Sequence, residues 1–367
     1  MGTSADAGGA PAAPGPTRLP EPTGRYPAGV TSLWLTDTSR PDPWAAGVTA
    51  RELMVSLWYP AASPDGPRAR YMTSAEAELQ LTSRNIAGVP PGLLSDTRTN
   101  AAAGAPPAEL RGAAPLVVLS PGFTNSPGVL TALAEDLASH GYVVAGVDHT
   151  YESYATVFPD GRITTCVARE TRRGPGDRFW DKLTAGRAAD VSFVLGELTS
   201  AHPDWPAAAL IDPSRVAMAG HSAGGAAAIS AMLADSRIRA GIDMDGSLPV
   251  PIPDGGLPRP FLFLGKQSNY TPGSGGAVTT WERDWKLLTG WKRWLVVAGA
   301  VHASFTDLGL LADQAGLDVG AGLPGGRGLD ITRAYVRAFF DQHLRGTPQP
   351  LLDQPSPRYP EVTFCSP

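Results

Sequence analysis

The chain has 367 residues, 43% of them hydrophobic, with a formal net charge of -5 and a sequence pI near 5.7. That balance argues against a nucleic-acid partner, which would need a basic face. No apolar run approaches the ~20 residues that span a bilayer, and two cysteines are too few for a disulfide scaffold or a metal site.

In chain order, residues 1–24 lack the positive start and apolar stretch of a signal peptide and hold few large apolar side chains, so they read as a disordered leader. Such a leader also remains when a signal peptide has been removed and a Met-Gly start added. The expectation is therefore a secreted protein, with a cytoplasmic one as the alternative. Residues 25–350 are expected to form one domain and 351–367 a tail. Two β-rich runs open the domain, VTSLWL (30–35) and LMVSLWY (53–59), expected as an antiparallel edge pair. From 60 to 115 the chain is rich in Pro, Ala and Gly, with a helix around Ser74 to Ser83, which suggests a long connection that could cap the site.

Short, wholly apolar strands then alternate with amphipathic helices: LVVLS (116–120), a helix over 128–139, YVVAGVD (142–148), a helix near 180–199, RVAMAG (215–220) and a helix over 224–234. AGIDMD (240–245), PFLFLG (260–265), RWLVVAG (293–299) and a helix around 329–345 complete the pattern. Strands apolar on both faces imply a parallel sheet covered by helices, hence a doubly wound α/β fold.

The most specific motif is Gly220-His221-Ser222-Ala223-Gly224, at the junction of RVAMAG with its helix. A serine on such a strained strand-to-helix turn is a nucleophile elbow, and Gly220, Gly224 and Gly225 supply the side-chain-free neighbours that the turn requires. The serine needs a histidine to take its proton. Among six histidines, His140, His202 and His343 lie at a helix end, in a loop and in the last helix. His149 precedes the serine, and His221 sits inside the elbow. His302 follows a late strand in a loop, in the Ser, acid, His order of this architecture. The acid is Asp245, nearer the carboxyl edge of its strand, in preference to Asp243. Ala223 and Phe123 are the expected oxyanion donors, one after the nucleophile and one after LVVLS.

These motifs, with RIRAGIDMDG, VAGAVHASFTDL and LVVLSPGFTNSPGVLTALAEDLASHGYVVAGVDH, resemble the platelet-activating-factor acetylhydrolase family and its bacterial esterase relatives over residues 26 to 345. The resemblance implies an α/β-hydrolase fold and a serine esterase acting on lipid or small esters, with Ser222, Asp245 and His302 as triad and Phe123 and Ala223 as oxyanion donors. No cofactor and no metal are implied, and the oligomeric state is left open, a monomer being plausible. The alternatives are a polyester or triacylglycerol hydrolase, an acyltransferase on the same triad and, remotely, an inactive binding protein. Where the family often has His-Gly in the oxyanion loop, this chain has Pro121-Gly122. Cys166 and Cys365 are either one bridge pinning the tail or two free thiols. Gly320 to Gly325 fits a dinucleotide pattern but reads as a loop. Trp281, Trp285 and Trp291 read as packing rather than an acyl pocket, and Asp148, His149 and Tyr151 as loop hydrogen bonding.

Overall fold

The computed structural model describes residues 16–174 and 178–367. Its strands are β1 (Ala28–Asp37), β2 (Arg51–Pro60), β3 (Arg68–Arg70), β4 (Arg98–Ala103), β5 (Ala114–Ser120), β6 (Val143–Asp148), β7 (Thr156–Val157), β8 (Ile163–Thr164), β9 (Ile211–His221), β10 (Ile238–Met244), β11 (Phe261–Lys266), β12 (Lys292–Val297) and β13 (Val362–Cys365). The helices are α1 (Ser74–Ser83), α2 (Gly92–Ser95), α3 (Thr131–Ser139), α4 (Val167–Glu170), α5 (Phe179–Leu198), α6 (Ala223–Ala234), α7 (Gln267–Tyr270), α8 (Val278–Trp285), α9 (Asp307–Gln314) and α10 (Gly325–Arg345).

One sheet runs β13-β12-β11-β10-β9-β5-β6-β2-β1-β4-β3, and β7 with β8 forms a separate hairpin. The six strands from β12 to β6 are mutually parallel, as the unbroken apolar runs predict. Alternate residues feed the two sides: Leu116, Val118 and Phe263 pack with α5 and α6, while Val117, Leu119 and Leu264 pack with α3 and α10. The chain leaves β5 toward β6 and returns to β9 on the other side of β5. The topological switch point therefore lies between the carboxyl ends of β5 and β9, where open α/β sheets hold their ligands.

The N-terminal pair is antiparallel, β1 against β2 and β2 against β6, as expected. It is not the edge, however. The 60–115 segment contributes β4, parallel to β1, and β3, which closes that side. This segment lines the sheet margin rather than capping the site. Gln80 of α1 and Arg84 just after it reach toward it, both donating to Asn125 Oδ1, at 3.4 and 2.6 Å. The tail is likewise structured. Leu352, Tyr359 and Val362 are buried, and β13 pairs antiparallel with β12. Among the described residues no helix is long and apolar enough to cross a membrane.

Residues 1–15 of the expected leader lie outside the described residues, but its last part is packed. Thr17 Oγ1 and Thr97 Oγ1 are 2.6 Å apart, Leu19 is 3% exposed, and Leu19 N–H donates to the Arg98 carbonyl at 2.9 Å. Thr23 donates twice to Asp136 Oδ1, each at 2.8 Å. Few apolar side chains do not prevent order when the backbone itself finds partners on β4 and α3. A chain beginning at residue 25 is thus expected to be less stable than one beginning at residue 16 by roughly 3–5 kcal/mol, from one buried Leu and bonds to a charged carboxylate. Chemical denaturation of the two truncations checks this; equal midpoints would show that the strap contributes nothing.

Candidate active site

Ser222 stands between β9 and α6 with φ 57° and ψ -122°, a conformation that costs a non-glycine residue about 1–3 kcal/mol unless its surroundings enforce it. They do so here. Its N–H donates to the Met244 carbonyl at 2.8 Å, and its own carbonyl accepts from Gly225 and Ala226 N–H at 2.9 and 3.1 Å. The glycines permit the approach. A Cβ on Gly220 would lie 2.1 Å from the Gly224 backbone, one on Gly224 2.0 Å from the Ser120 carbonyl oxygen, and one on Gly225 1.8 Å from Asp243 Oδ1.

Asp245 follows β10, and His302 opens a short turn after β12. His302 Nδ1–H donates to Asp245 Oδ2 at 2.5 Å, which leaves Nε2 as the basic nitrogen. Asp245 Oδ1 accepts from the Lys266 N–H at 2.8 Å, and Lys266 Nζ lies 3.8 Å from Oδ2, so one residue holds both oxygens. The sequence reading missed Lys266. Its signal was its place at the end of β11, where this architecture more often carries the acid itself. Ser222, Asp245 and His302 line one cleft.

The other histidines lie elsewhere. His221 lies tilted against the His302 ring, centroids 4.3 Å apart, with Nε2–H donating to the His302 carbonyl at 2.9 Å. Burial, with His302 beside it, holds its pKa well below the usual value, so it is a neutral support. His140 contacts Thr23 and Arg337, and His343 packs on Trp291 and Phe339. Trp281 is sandwiched between Phe263 and Tyr270 at 4.3 and 4.0 Å and donates to the Gly246 carbonyl. None of the three tryptophans Trp281, Trp285 and Trp291 lines the cleft. Trp180 and Thr184 do; one turn apart on α5, they share a face that the sequence reading had not assigned to the site.

Next to Ser222 lies the turn Gly122 to Asn125; a Cβ on Gly122 would stand 3.3 Å from Ser222 Cβ. The Gly122 carbonyl accepts from Asn125 N–H at 3.1 Å, which turns the Phe123 N–H of the same peptide the opposite way. Neither Phe123 N–H nor Ala223 N–H makes a hydrogen bond among the described residues. The Phe123 ring packs edge-on against Phe179 and Trp180 at 5.3 and 5.6 Å, so side chain and backbone serve separate ends.

Cys166 and Cys365 are free thiols rather than a bridge. Cys166 donates to the Glu152 carbonyl at 3.2 Å, and burial raises its pKa to about 11; Cys365 sits in β13 opposite Trp294.

Asp243, two residues before Asp245, has the opposite fate. It is wholly buried beneath the elbow, where Oδ1 accepts Gly246 N–H at 2.9 Å, and burial holds its carboxyl well above the usual range. The folded protein therefore keeps a proton that the unfolded chain releases above about pH 4. That proton's contribution to stability is full at low pH and is lost as pH rises from the unfolded value toward the folded one. Asp243→Asn removes this loss, so its melting temperature relative to the native protein is expected to climb between about pH 4 and 8, with turnover changed less than ~10-fold. Asp245→Asn is expected to lower turnover by roughly 10⁴-fold, as loss of a triad acid does. Thermal scans over pH and esterase rates check both; a reversed ranking of the two rates would reassign the acid.

A model of the family "Platelet-activating factor acetylhydrolase, isoform II" matches residues 13–184 and 208–319. A probable 1-alkyl-2-acetylglycerophosphocholine esterase of Arthroderma benhamiae is 30% identical, covering 94% of this chain and 93% of that protein. A platelet-activating factor acetylhydrolase of Cavia porcellus is 25% identical over 80% of this chain and 70% of its own length. Among solved structures, a ferulic acid esterase from Streptomyces cinnamoneus superposes with a TM-score of 0.84 at 41% identity, covering 96% of this chain and all of that one. The chain is a carboxylic ester hydrolase of the α/β-hydrolase fold, and it belongs to the platelet-activating factor acetylhydrolase isoform II family.

Proposed function

We propose that the protein hydrolyses esters through an acyl-enzyme on Ser222 and that it selects compact acyl groups, an aromatic acid such as ferulic acid foremost. The observation that carries the mechanism is the 2.5 Å bond between His302 and Asp245 in one cleft with a serine held at positive φ. His302 Nε2 takes the Ser222 proton as Oγ attacks the ester carbonyl, and the Phe123 and Ala223 N–H groups hold the oxyanion. Asp245 stabilises the imidazolium, which then protonates the departing alcohol. Water enters, gives its proton to His302 and releases the acid by the same steps in reverse.

The cleft has a volume of about 490 Å³, ordinary for a small-molecule site, and it is the character of its walls that supports a compact acyl group. Trp180, Leu248, Pro249 and Tyr270 form apolar walls, while Thr184, Thr280 and Lys266 offer polar partners. Flat apolar walls with a few polar groups suit an aromatic ring bearing hydroxyl or methoxyl groups better than a long alkyl chain. The 41% identity to a ferulic acid esterase over nearly the whole chain points the same way. The second reading, an acetyl group on a glycerophospholipid, is favoured by the family match and also requires only a compact acyl site.

Rates on methyl ferulate, an acetylated glycerophospholipid and nitrophenyl esters from acetate to palmitate separate these readings. Methyl ferulate or the acetyl esters are expected to exceed the palmitate ester by roughly 10²-fold in kcat/KM. A preference for palmitate would overturn the compact site while leaving the mechanism standing. Ser222→Ala is expected to lose roughly 10³-fold or more on every substrate; equal rates for mutant and native protein would remove Ser222 as nucleophile.

A further inference from the structure

Behind the oxyanion loop lies a network of charged side chains that the mechanism does not use. Arg51, His149, Glu152, Arg187 and Asp190 are each at most 1% exposed. Arg187 Nη1 donates to the Pro121 carbonyl at 2.5 Å and to Ser120 Oγ at 3.2 Å, while its Nε donates to Glu152 Oε2 at 2.7 Å. Ser120 Oγ and His149 Nε2 are 2.9 Å apart, and His149 Nδ1–H donates to Asp190 Oδ2 at 2.7 Å. Arg51 grips both Asp190 oxygens at 3.1 and 2.8 Å and also reaches Asp42 at 2.7 Å. Arg40 adds a bond to Asp190 at 2.6 Å, and Trp44 Nε1–H donates to Glu152 Oε1 at 2.9 Å.

Ser120, His149 and Asp190 repeat the residue types of a hydrolytic triad, but all three are buried where no ester carbonyl can reach them. Burial, with the Arg187 charge next, lowers the His149 pKa, so the ring is neutral. One arrangement of protons then satisfies the chain: Nδ1–H to Asp190, the Ser120 hydroxyl to Nε2, and Arg187 to the Ser120 oxygen.

Burying several ions costs several kcal/mol each before their pairing repays it, and apolar residues would fill the same space. What apolar residues cannot do is hold a carbonyl. The network ends on the backbone of residues 120–124. Arg187 holds the Pro121 carbonyl at one end, and at the other the Glu152 carbonyl accepts Thr124 N–H at 2.9 Å. Thr124, a β-branched residue at φ 76°, is further fixed by Tyr154 N–H donating to its carbonyl at 3.0 Å. Glu152 thus grips both ends, one directly and one through Arg187. Between them stands Gly122, which has no Cβ to resist rotation of its two peptides. Release of the Pro121 carbonyl would leave the Gly122–Phe123 peptide held, among the described residues, only by the Asn125 N–H on the Gly122 carbonyl at 3.1 Å, and so free to shift the direction of the Phe123 N–H.

We propose that Arg187, held by Glu152 and by the His149–Asp190–Arg51 chain, is the positioning residue that keeps the oxyanion loop in its working conformation. This rests on Phe123 being an oxyanion donor to an acyl-enzyme on Ser222.

The test compares the native protein, Arg187→Lys, Arg187→Met, Glu152→Gln and Ser222→Ala. The readouts are kcat, KM, melting temperature and inhibition by a boronic acid, whose adduct on the serine mimics the tetrahedral intermediate. Folded Arg187→Met is expected to lose roughly 10–100-fold in kcat with KM little changed, as a misplaced catalytic group does. Its boronate inhibition constant should weaken by a similar factor, and Arg187→Lys should recover part of both losses. Where Arg187→Met fails to fold, Glu152→Gln decides, since it keeps the volume and the backbone contacts of Glu152 while weakening its grip on Arg187. Unchanged kcat in the folded variants, or lost kcat with an unmoved boronate constant, would overturn the positioning role. Full activity of Ser222→Ala would instead remove the reading on which it rests.

Discussion

The absence of side chains around Ser222 is the constraint from which the site follows. α6 meets β9 and β5 so closely that Gly220, Gly224 and Gly225 leave no room for even one carbon. That contact forces the serine to positive φ and lifts it above the sheet. Gly246, whose Cβ would stand 2.3 Å from the Ser222 carbonyl oxygen, extends the same crowding to the loop after β10. The elbow thereby sets the distance between Ser222 and Asp245, because the strand that receives Ser222 N–H on the Met244 carbonyl delivers Asp245 one residue later. Interiors packed to this density transmit a displacement instead of absorbing it.

Two carboxylates at one strand end show how environment divides roles. Asp243 lies within β10, whereas Asp245 follows its last residue at φ 59°, where the chain turns out of the strand. Asp243 is driven beneath the elbow and is held protonated by burial, where it supports Gly246. Asp245 sits one strand-step further out, its oxygens shared among the Lys266 backbone, the Lys266 ammonium and the His302 ring. The turn after Met244 separates a buried carboxyl that supports the elbow from one bonded to the His302 ring.

Much of this was legible in the residues. The parallel strands were readable because burial on both faces leaves apolar runs, and the helix expected around Ser74 to Ser83 is α1, whose start is held by the Thr73–Glu76 capping box. The turn at Ser222 was readable because its glycines have a steric cause, and His302 was read from its place after a late strand, where the structure sets it against Asp245. What escaped has causes of its own. β4 is Arg-Thr-Asn-Ala-Ala-Ala, with almost no β-branched or aromatic signal, and β3 and β13 have three and four residues; their strand character comes from neighbours, not from propensity. The strap over residues 17–24 is held by backbone donors and one buried leucine, which composition does not reveal. Pairing of two cysteines depends on where their elements lie, and sequence distance says nothing of that.

The network behind the oxyanion loop was the least legible part, since Arg51, His149, Glu152, Arg187 and Asp190 are scattered over 140 positions and match no motif. Its place in the fold nonetheless bears on the one departure from the resemblance, Pro121-Gly122 where His-Gly is common. Proline at that position has no N–H and a fixed φ, so its carbonyl is the one backbone group through which the loop can be anchored there. An arginine brought from α5 meets that carbonyl, and its fork bonds Glu152 with another donor. Lysine, a single point donor, would have to choose between them. The same helix carries Trp180 and Thr184 on the cleft wall, with Arg187 one turn further on. The cleft wall and the anchor of the Pro121 carbonyl are thus mounted on one helix, so on the proposed mechanism a shift of α5 would alter acyl binding and oxyanion geometry together.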